Sequence, residues 1–184
     1  MLDYEGSISI AENVLGCSPS DAGVLSLDLA VWPPAGVVAA ARFPEIDVVC
    51  SREFARSRPS ELTEQISELA VGRNACGVFM HSADDWAAFA VWSGGHLIRS
   101  MSVASSSGII EDLGEQLSFE APFWGGQSPC SDEVEYALTF HPIDLGNDAF
   151  REFFGFILEG HEDEYCIDPE EVEIPVFRTE NVCK

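Results

Sequence analysis

Residues 77–103 read GVFMHSADDWAAFAVWSGGHLIRSMSV, and this stretch decides the fold. Short apolar runs at 77–81 and 86–92 precede the tripeptide Ser93-Gly94-Gly95, and apolar side chains at 97, 101 and 103 follow the alternate spacing of a strand. Apolar runs on both sides of a glycine turn are typical of a β-hairpin. The alanines of the second run would also suit a helix. Because the turn follows at once, the stretch predicts strands.

Shorter apolar runs on both sides of this hairpin predict further strands. Leucines alternate along 24–31, and a Phe-Pro pair separates the apolar runs 37–42 and 46–50. Since proline removes a ladder hydrogen bond, these two runs predict either two strands or one broken strand. The last apolar run, 172–177, predicts a strand at the edge of a sheet because it contains Pro175.

Two segments have the periodicity of helices. Ser60 suits the N-cap of a first helix, and apolar side chains recur at helical spacing along 62–70. Asn147 suits the cap of a second helix, which Gly160 ends. Several strands with only two clear helices predict an α+β fold. We expect a single domain, residues 1–184, with a mostly antiparallel sheet and two main helices packed on one face.

Two segments lack such patterns and are predicted to be poorly ordered. Residues 1–20 have the weakest periodicity of the chain. Residues 161–171 are dense in carboxylates, and like charges at this spacing repel, which favours a solvated loop. The spacing of a calcium-binding loop is absent there, so the acids do not predict a metal site.

The charge balance excludes several classes of partner. The chain has 184 residues, of which 32 are acidic and 9 basic, for a net charge of -23. Direct binding to nucleic acid is disfavoured because affinity for phosphates comes mainly from cations on the protein. An anionic membrane surface would also repel the chain. High charge favours solubility, and it also suits a surface that binds a basic protein.

The sequence predicts a cytoplasmic protein. It carries neither the pattern of a secretory signal nor an apolar stretch of the roughly 20 residues that a membrane span needs. No CxxC pair occurs, so neither a disulfide framework nor a structural zinc site is expected. The cysteines are predicted to be reduced; they are Cys17, Cys50, Cys76, Cys130, Cys166 and Cys183.

Several blocks of sequence together resemble a known family. They are FPEIDVVC (43–50), RPSEL (58–62), MHSADDWAAFAVW (80–92), GIIEDLGEQLSFEAPFWGG (108–126), FHPIDLG (140–146) and FFGFILEG (153–160). In this order they resemble an uncharacterised actinobacterial family, a domain of unknown function, over roughly residues 32–160. The resemblance implies a small, acidic, intracellular single-domain protein. It implies no activity, cofactor or catalytic residue.

Familiar catalytic signatures do not occur. The sequence contains no GxGxxG, no GxxxxGK[ST], no HExxH and no GxSxG. These motifs position phosphates, zinc or a nucleophilic serine. We therefore expect neither a cofactor nor the chemistry of an α/β-hydrolase.

Four residues form the candidate catalytic set. His81 and Asp85 flank a polar turn, and a histidine near a carboxylate is the usual general base. Glu120 lies among aromatic residues, where burial would raise its pKa, as in general acids. His141 is held extended by Pro142. Each residue ends or begins a strand-like run, so we expect the four to converge on one edge of the sheet.

Four other residues are candidates for binding a ligand. Trp86 follows the polar turn, and Phe123 and Trp124 lie in a glycine-rich stretch that suits an aromatic lid. Arg52 belongs to the one cationic cluster of the chain, and arginine binds carboxylates and other anions with two hydrogen bonds. Intramolecular pairing with the many acids is the structural alternative for this arginine.

Three classes of function fit these observations. The favoured class is a small acidic binding protein without catalytic activity, whose partner is a basic protein or a small molecule. The second is a small hydrolase that uses the His/Asp/Glu set. The third is an acidic mimic or immunity-type inhibitor of a basic protein. The sequence predicts no oligomeric state.

Overall fold

The computed structural model describes residues 2–128, 137–160 and 163–179. These residues form strands and helices in two units, one from residues 2–54 with 168–179 and the other from the described residues between 55 and 167. The strands are β1 (Pro19–Ser26), β2 (Val37–Arg42), β3 (Asp47–Cys50), β4 (Asn74–His81), β5 (Trp86–Ser93), β6 (His96–Ala104), β7 (Gly108–Gly114) and β8 (Glu173–Thr179). The α-helices are α1 (Tyr4–Leu15), α2 (Leu27–Ala30), α3 (Thr63–Leu69), α4 (Ala121–Trp124) and α5 (Pro142–Phe154).

Helix α1 packs on the sheet of the first unit. Its N-cap is Asp3, whose side chain accepts a hydrogen bond from the Gly6 N–H at 3.0 Å. The helix ends at Gly16, which adopts the left-handed conformation that favours glycine. One face of α1 is buried against β2 and β8, and the core between them consists of Ile10, Ala11, Val38, Ala40 and Phe177.

The helix corrects our expectation that residues 1–20 are poorly ordered. Its sequence includes a glycine and several β-branched or polar residues, so intrinsic helix propensity is low. The structure stabilises it by other means. Ser7 is fully buried, donates from its hydroxyl to the Asp3 carbonyl at 2.7 Å, and accepts from the Arg42 N–H at 3.0 Å. Tertiary contacts of this kind outweigh propensity in most helices.

The sheet of the first unit has the strand order β1-β8-β2-β3, and all of its pairs are antiparallel. Two predictions fail here. The alternating leucines at 24–31 do not form one strand, because β1 ends at Ser26 and α2 follows. Strand β8 is central rather than at an edge. Pro175 is tolerated because pairing with β2 stops at Val176, so its missing N–H interrupts no ladder on that side.

The second unit contains the predicted hairpin within a four-stranded antiparallel meander, β4-β5-β6-β7. The run at 86–92 is a strand, as predicted. Gly94 and Gly95 connect β5 to β6 with φ values of 56° and 82°. Two positive φ values in succession characterise the tight turns that match strand twist, and glycine adopts them without strain.

Helix α5 packs on β4 and β5 at Gly146. A Cβ atom at this position would lie 2.7 Å from the Met80 sulfur and 3.1 Å from the Ala87 Cβ, so only glycine permits the close approach. Phe89, Met101 and Phe140 lie in the core of this unit with other residues of the helix and sheet. Strand β5 therefore has alanines at several positions because a helix and other chain segments pack close to the sheet there.

The helix boundaries differ from those predicted. Helix α5 begins after His141 and ends at Gly155, so Asn147 lies inside it. The Asn147 side chain holds the returning chain, since its Oδ1 accepts from the N–H groups of Leu158 and Glu159 at 3.2 Å. The helix after Ser60 is shorter than expected and covers only Thr63–Leu69.

The α+β class and the antiparallel pairing are confirmed. The strands form two sheets rather than one, and each of the longer helices, α1 and α5, packs on the sheet of its own unit. The single-domain organisation stays a prediction. Within the described ranges, residues 163–171 of the acidic run form turns and a short 3-10 helix, and residues 161–162 lie outside the described part.

Among the described residues, the longest helices are too short and too polar to cross a lipid bilayer.

Candidate functional site

The candidate site lies at the end of the second sheet where β4 turns into β5. His81 ends β4, and residues 82–84 form one 3-10 turn. Asp85 ends this turn with φ 44° and ψ 49°, and it is the one non-glycine residue with positive φ in the described part of the chain. Aspartate tolerates the left-handed conformation better than most residues. The turn therefore fixes the direction of the Asp85 carboxylate.

His141 faces this carboxylate from the N-terminus of α5. Its Nε2 lies 3.5 Å from the Asp85 Oδ1, and its Nδ1 accepts a hydrogen bond from the Ile143 N–H at 3.2 Å. An Nδ1 that accepts carries no proton, so the neutral ring bears its proton on Nε2, facing the aspartate. Both ring nitrogens thus face protein partners. His141 is therefore the N-cap of α5, and its ring lies beside Asp85.

Backbone hydrogen bonds hold this end of the sheet together. The Asp85 carbonyl accepts from the Ser105 N–H at 3.1 Å, in the turn between β6 and β7. The Ser105 carbonyl in turn accepts from the Ala137 N–H at 3.2 Å. The chain that leads to His141 is therefore connected to both turns. This explains how residues 56 positions apart in sequence come into contact.

His81 has a different partner from the one expected. Its Nδ1 lies 2.8 Å from the Asp84 Oδ2, three residues along the chain. Both side chains are well exposed, at 42% and 76%. An exposed pair of this kind contributes at most about 1 kcal/mol to stability, and it leaves the histidine in a solvent-like environment.

Glu120 lies in the interior of the second unit. Its side chain is fully buried and forms a two-pronged ion pair with the equally buried Arg99, at 2.9 Å from Nε to Oε1 and 2.6 Å from Nη2 to Oε2. The Leu117 N–H also donates to its Oε1 at 2.7 Å, and the Trp124 Nε1 approaches its Oε2 at 3.4 Å. This arrangement binds the residues after β7 to the face of the sheet.

Arg99 has further partners that keep it charged. Its Nη1 donates to the Asp112 carboxylate and, at 3.1 Å, to the Leu113 carbonyl. Burial by itself would lower the pKa of Arg99, but the hydrogen bonds to Glu120 and Asp112 outweigh it and raise the pKa. A guanidinium that is always charged requires such partners when it is buried.

The four candidate catalytic residues do not all converge. On β6, Arg99 lies five residues from Ala104, which pairs with Trp86 beside Asp85. At about 3.3 Å per residue, the two positions are roughly 16 Å apart. The structure brings Asp85 and His141 together. It pairs His81 with the neighbouring Asp84, and it places Glu120 in a buried ion pair elsewhere.

The candidate ligand-binding residues mostly serve the core. The Trp86 Nε1 donates to the Ser102 hydroxyl at 3.0 Å. Phe123 is 2% exposed, and Trp124 packs edge-on against Phe140 at 5.0 Å between ring centroids, so the expected aromatic lid is part of a short helix and its core. In the first unit, Arg52 lies 5.2 Å from the centroid of Trp32, in a cation–π contact.

Sequence reasoning missed Arg99 as the residue that determines the role of Glu120. The sequence contains a signal for this role. Arg99 is two residues from Leu97 and Met101, so it shares a face of β6 with them and with Val103 and occupies an inward position. A charge at such a position requires a buried partner of opposite sign. The nearby acidic residues were the available partners, and this reasoning would have assigned Glu120 a structural role.

The described residues contain no group of three or more side chains suited to hold a metal ion. Two of the described thiols are also not activated. Burial raises the pKa of Cys50 to about 12 and that of Cys76 to about 11, so both remain protonated near neutral pH. A reactive cysteine would have the opposite shift.

Comparison with known proteins identifies a family but no activity. Residues 3–177 match a protein family described as a family of unknown function, DUF6928. The match extends beyond the range expected from the sequence blocks and includes α1, β1 and most of β8. No curated protein and no solved structure matches the chain.

Proposed function

The chain belongs to this family of unknown function, and from that premise we propose that it is an acidic binding protein without catalytic activity, whose partner is a basic protein. One observation carries the proposal. The two candidate acid–base groups with the most contacts, Glu120 and His141, have their reactive atoms bonded to protein groups. What remains is a surface with a large excess of carboxylates and a net charge of -23.

The charge supports a basic partner more than a small molecule. Small-molecule sites are concave and apolar, with a few convergent polar groups. The candidate ligand-binding aromatics Phe123 and Trp124 pack in the core instead. Electrostatic attraction between oppositely charged surfaces raises association rates and discriminates against wrong partners. An inhibitor that mimics an anionic ligand is a special case of the same proposal.

The cysteines support the proposal of a cytoplasmic location. Cys50 and Cys76 are partly buried single thiols and form no disulfide. Thiols of this kind are typical of proteins in reducing compartments. We also propose an actinobacterial origin, which the resemblance of the sequence blocks suggests.

A small hydrolase is the second candidate, because Asp85 and His141 lie within 3.5 Å of each other. In that account, a substrate would displace the Ile143 N–H from the imidazole. Substitution of Asp85 or His141 would then abolish an activity, whereas the binding account expects these substitutions to affect stability alone.

The proposal is tested by capturing a partner on the immobilised chain. Cytosolic extract is applied at about 0.1 M salt and eluted in steps up to about 1 M, where charge interactions are screened within a few ångströms. We expect a basic protein to be retained in stoichiometric amount and released by salt. Retention of no protein, or of a partner that salt does not release, would contradict the proposal.

Two matched variants locate the surface involved. One replaces the exposed Glu61, Glu64 and Glu68 around α3 by glutamine, and the other replaces the exposed Glu164, Glu170 and Glu171 in the acidic run. Each variant removes three negative charges. A binding surface at one of these two places predicts that one variant weakens capture much more than the other, whereas equal weakening indicates attraction by net charge or a surface elsewhere on the chain.

A further inference from the structure

We propose that the outer edge of β7 is the surface that receives this partner, by pairing with an extended basic segment as an added strand. The inference rests on the proposed function and specifies the partner's conformation and its place on the fold. Peptide recognition by strand addition uses main-chain hydrogen bonds for affinity and alternate side chains for specificity.

Strand β7 is the last strand of its sheet, and no described strand pairs with its outer side. The edges of the other sheet are protected. Strand β3 has only four residues, and β1 begins with Pro19 and is irregular between Asp21 and Gly23. Short strands, prolines and bulges are the usual devices that prevent unwanted pairing. On β4, the opposite edge of the same sheet, only Asn74 is exposed.

The side chains of β7 suit a binding edge. Ile109 and Leu113 are 49% and 45% exposed, although both are large and apolar. The strand contains no proline and no lysine, the residues that commonly protect an edge. The strand also has a bulge, since Ile110 is an extra residue opposite Ser102 and Val103, but it has seven residues and no proline, unlike β3 and β1.

The second half of β7 is hydrogen-bonded to the arginine of the buried ion pair. Arg99 donates from Nη1 to the carbonyls of Leu113 and Gly114, at 3.1 and 3.3 Å. On the inner side, the Glu111 carboxylate accepts from the Ser60 N–H at 3.0 Å and from the buried Ser100 hydroxyl. A template that is already ordered loses little conformational entropy on binding.

The negative charge around this edge favours a basic segment as its binding partner. Glu115 is exposed, the Asp112 side chain is 43% exposed although it pairs with Arg99, and residues 108–120 contain no basic residue. A second copy of the chain would bring one acidic edge against another, and each copy carries a net charge of -23. Like charges directly opposite destabilise a strand pair, and opposite charges stabilise it. A basic segment is therefore favoured over self-association.

The test uses an eight-residue peptide of alternating arginine and valine, with alternating glutamate and valine as the control peptide. Binding is measured by fluorescence anisotropy, and protection of the backbone amides of residues 109–113 by hydrogen exchange. We expect the basic peptide alone to bind and to slow exchange on β7. Two further versions carry N-methyl groups on the odd or the even amides. Only one should bind, because one set of amides faces the template.

Two chain variants separate the edge from the net charge. Leu113→Arg places a cation on β7, and Val71→Arg places one on a side chain that is 77% exposed outside the strand. Both change the net charge equally. We expect Leu113→Arg to weaken peptide binding at least about tenfold and Val71→Arg less than about twofold, since an edge cation repels an added basic strand.

Four results would overturn the inference. Equal weakening by both variants, or equal binding of both N-methylated peptides, would indicate charge attraction without strand pairing. Absence of peptide binding would exclude β7 as the receiving edge. Protection of β7 in a dimer of the free chain would make a second copy the occupant. In each case, capture of a basic protein from extract decides the proposed function separately.

Discussion

The Arg99–Glu120 pair and the Asp85–His141 pair are two contacts of a carboxylate with a nitrogen base in the same unit, but their surroundings differ. The side chains of Arg99 and Glu120 are fully buried and joined by two hydrogen bonds. His141 and Asp85 are 29% and 35% exposed, and their closest atoms are 3.5 Å apart. Burial decides what each pair contributes, because removing one partner in the interior leaves a charge that water cannot solvate.

The largest effect is expected for Glu120→Ala. The variant leaves the Arg99 guanidinium buried beside Asp112 alone, so we expect the free energy of unfolding to fall by about 3 to 5 kcal/mol. Urea denaturation measures the loss. The control is the double variant Arg99→Met with Glu120→Leu, which removes both charges and should recover most of the stability. A loss below about 1 kcal/mol in the single variant would mean that the pair resembles an exposed one.

A smaller effect is expected for Gly146→Ala, next to the exposed pair. The added methyl group would contact the Met80 sulfur and the Ala87 Cβ, and the resulting overpacking costs about 1 to 3 kcal/mol. The higher helix propensity of alanine offsets up to about 1 kcal/mol of this cost. Thermal unfolding checks the net loss. In a Met80→Ala background the cost should largely disappear, and an unchanged cost would show that the clash lies elsewhere.

His141→Ala tests the exposed pair itself. It removes the acceptor for the Ile143 N–H, so we expect a loss of about 1 kcal/mol, the usual effect of losing an N-cap. His141→Asn should retain most of the stability, since asparagine is a good N-cap. If asparagine were as destabilising as alanine, the contact with Asp85 would matter more than the cap.

The smallest effect on stability near neutral pH is expected for the Cys50 thiol, whose pKa is shifted by desolvation rather than by an ionic partner. Burial raises the pKa of Cys50 from 9.0 to about 12. The folded state therefore disfavours the thiolate, and this contribution to stability is present below about pH 9 and is lost as the pH rises towards 12. Denaturation of the wild type and of Cys50→Ala at pH 8 and pH 10.5 measures it. An equal loss in both proteins on raising the pH would contradict the assignment.

The sequence predicted those features that depend on local pattern. The hairpin of β5 and β6 follows from two apolar runs around Gly94 and Gly95, and both signals lie within a few residues of each other. Helix α1 was missed because its stability comes from Asp3 and from burial of Ser7 against β2, which no local pattern encodes. The expected edge position of β8 failed because pairing along a sheet is set by distant strands.

The candidate site was predictable only in part for the same reason. Proximity of Asp85 and His141 follows from their positions at strand ends. The role of Glu120 depends on Arg99, which lies 21 residues away in sequence and contacts it only after β6 and β7 have formed. Pro142 predicts that the backbone of His141 is extended. That His141 is the N-cap of α5 could be predicted only if the first residue of the helix were known.

The measurement that tests the central claim most directly is partner capture by the His141→Asn variant. The account assigns His141 a structural role and assigns function to the acidic surface. It therefore predicts that the variant retains the same basic protein as the wild type and releases it at the same salt concentration. Loss of capture, or loss of a chemical activity of the wild type, in a variant that unfolds at nearly the same urea concentration would contradict the account.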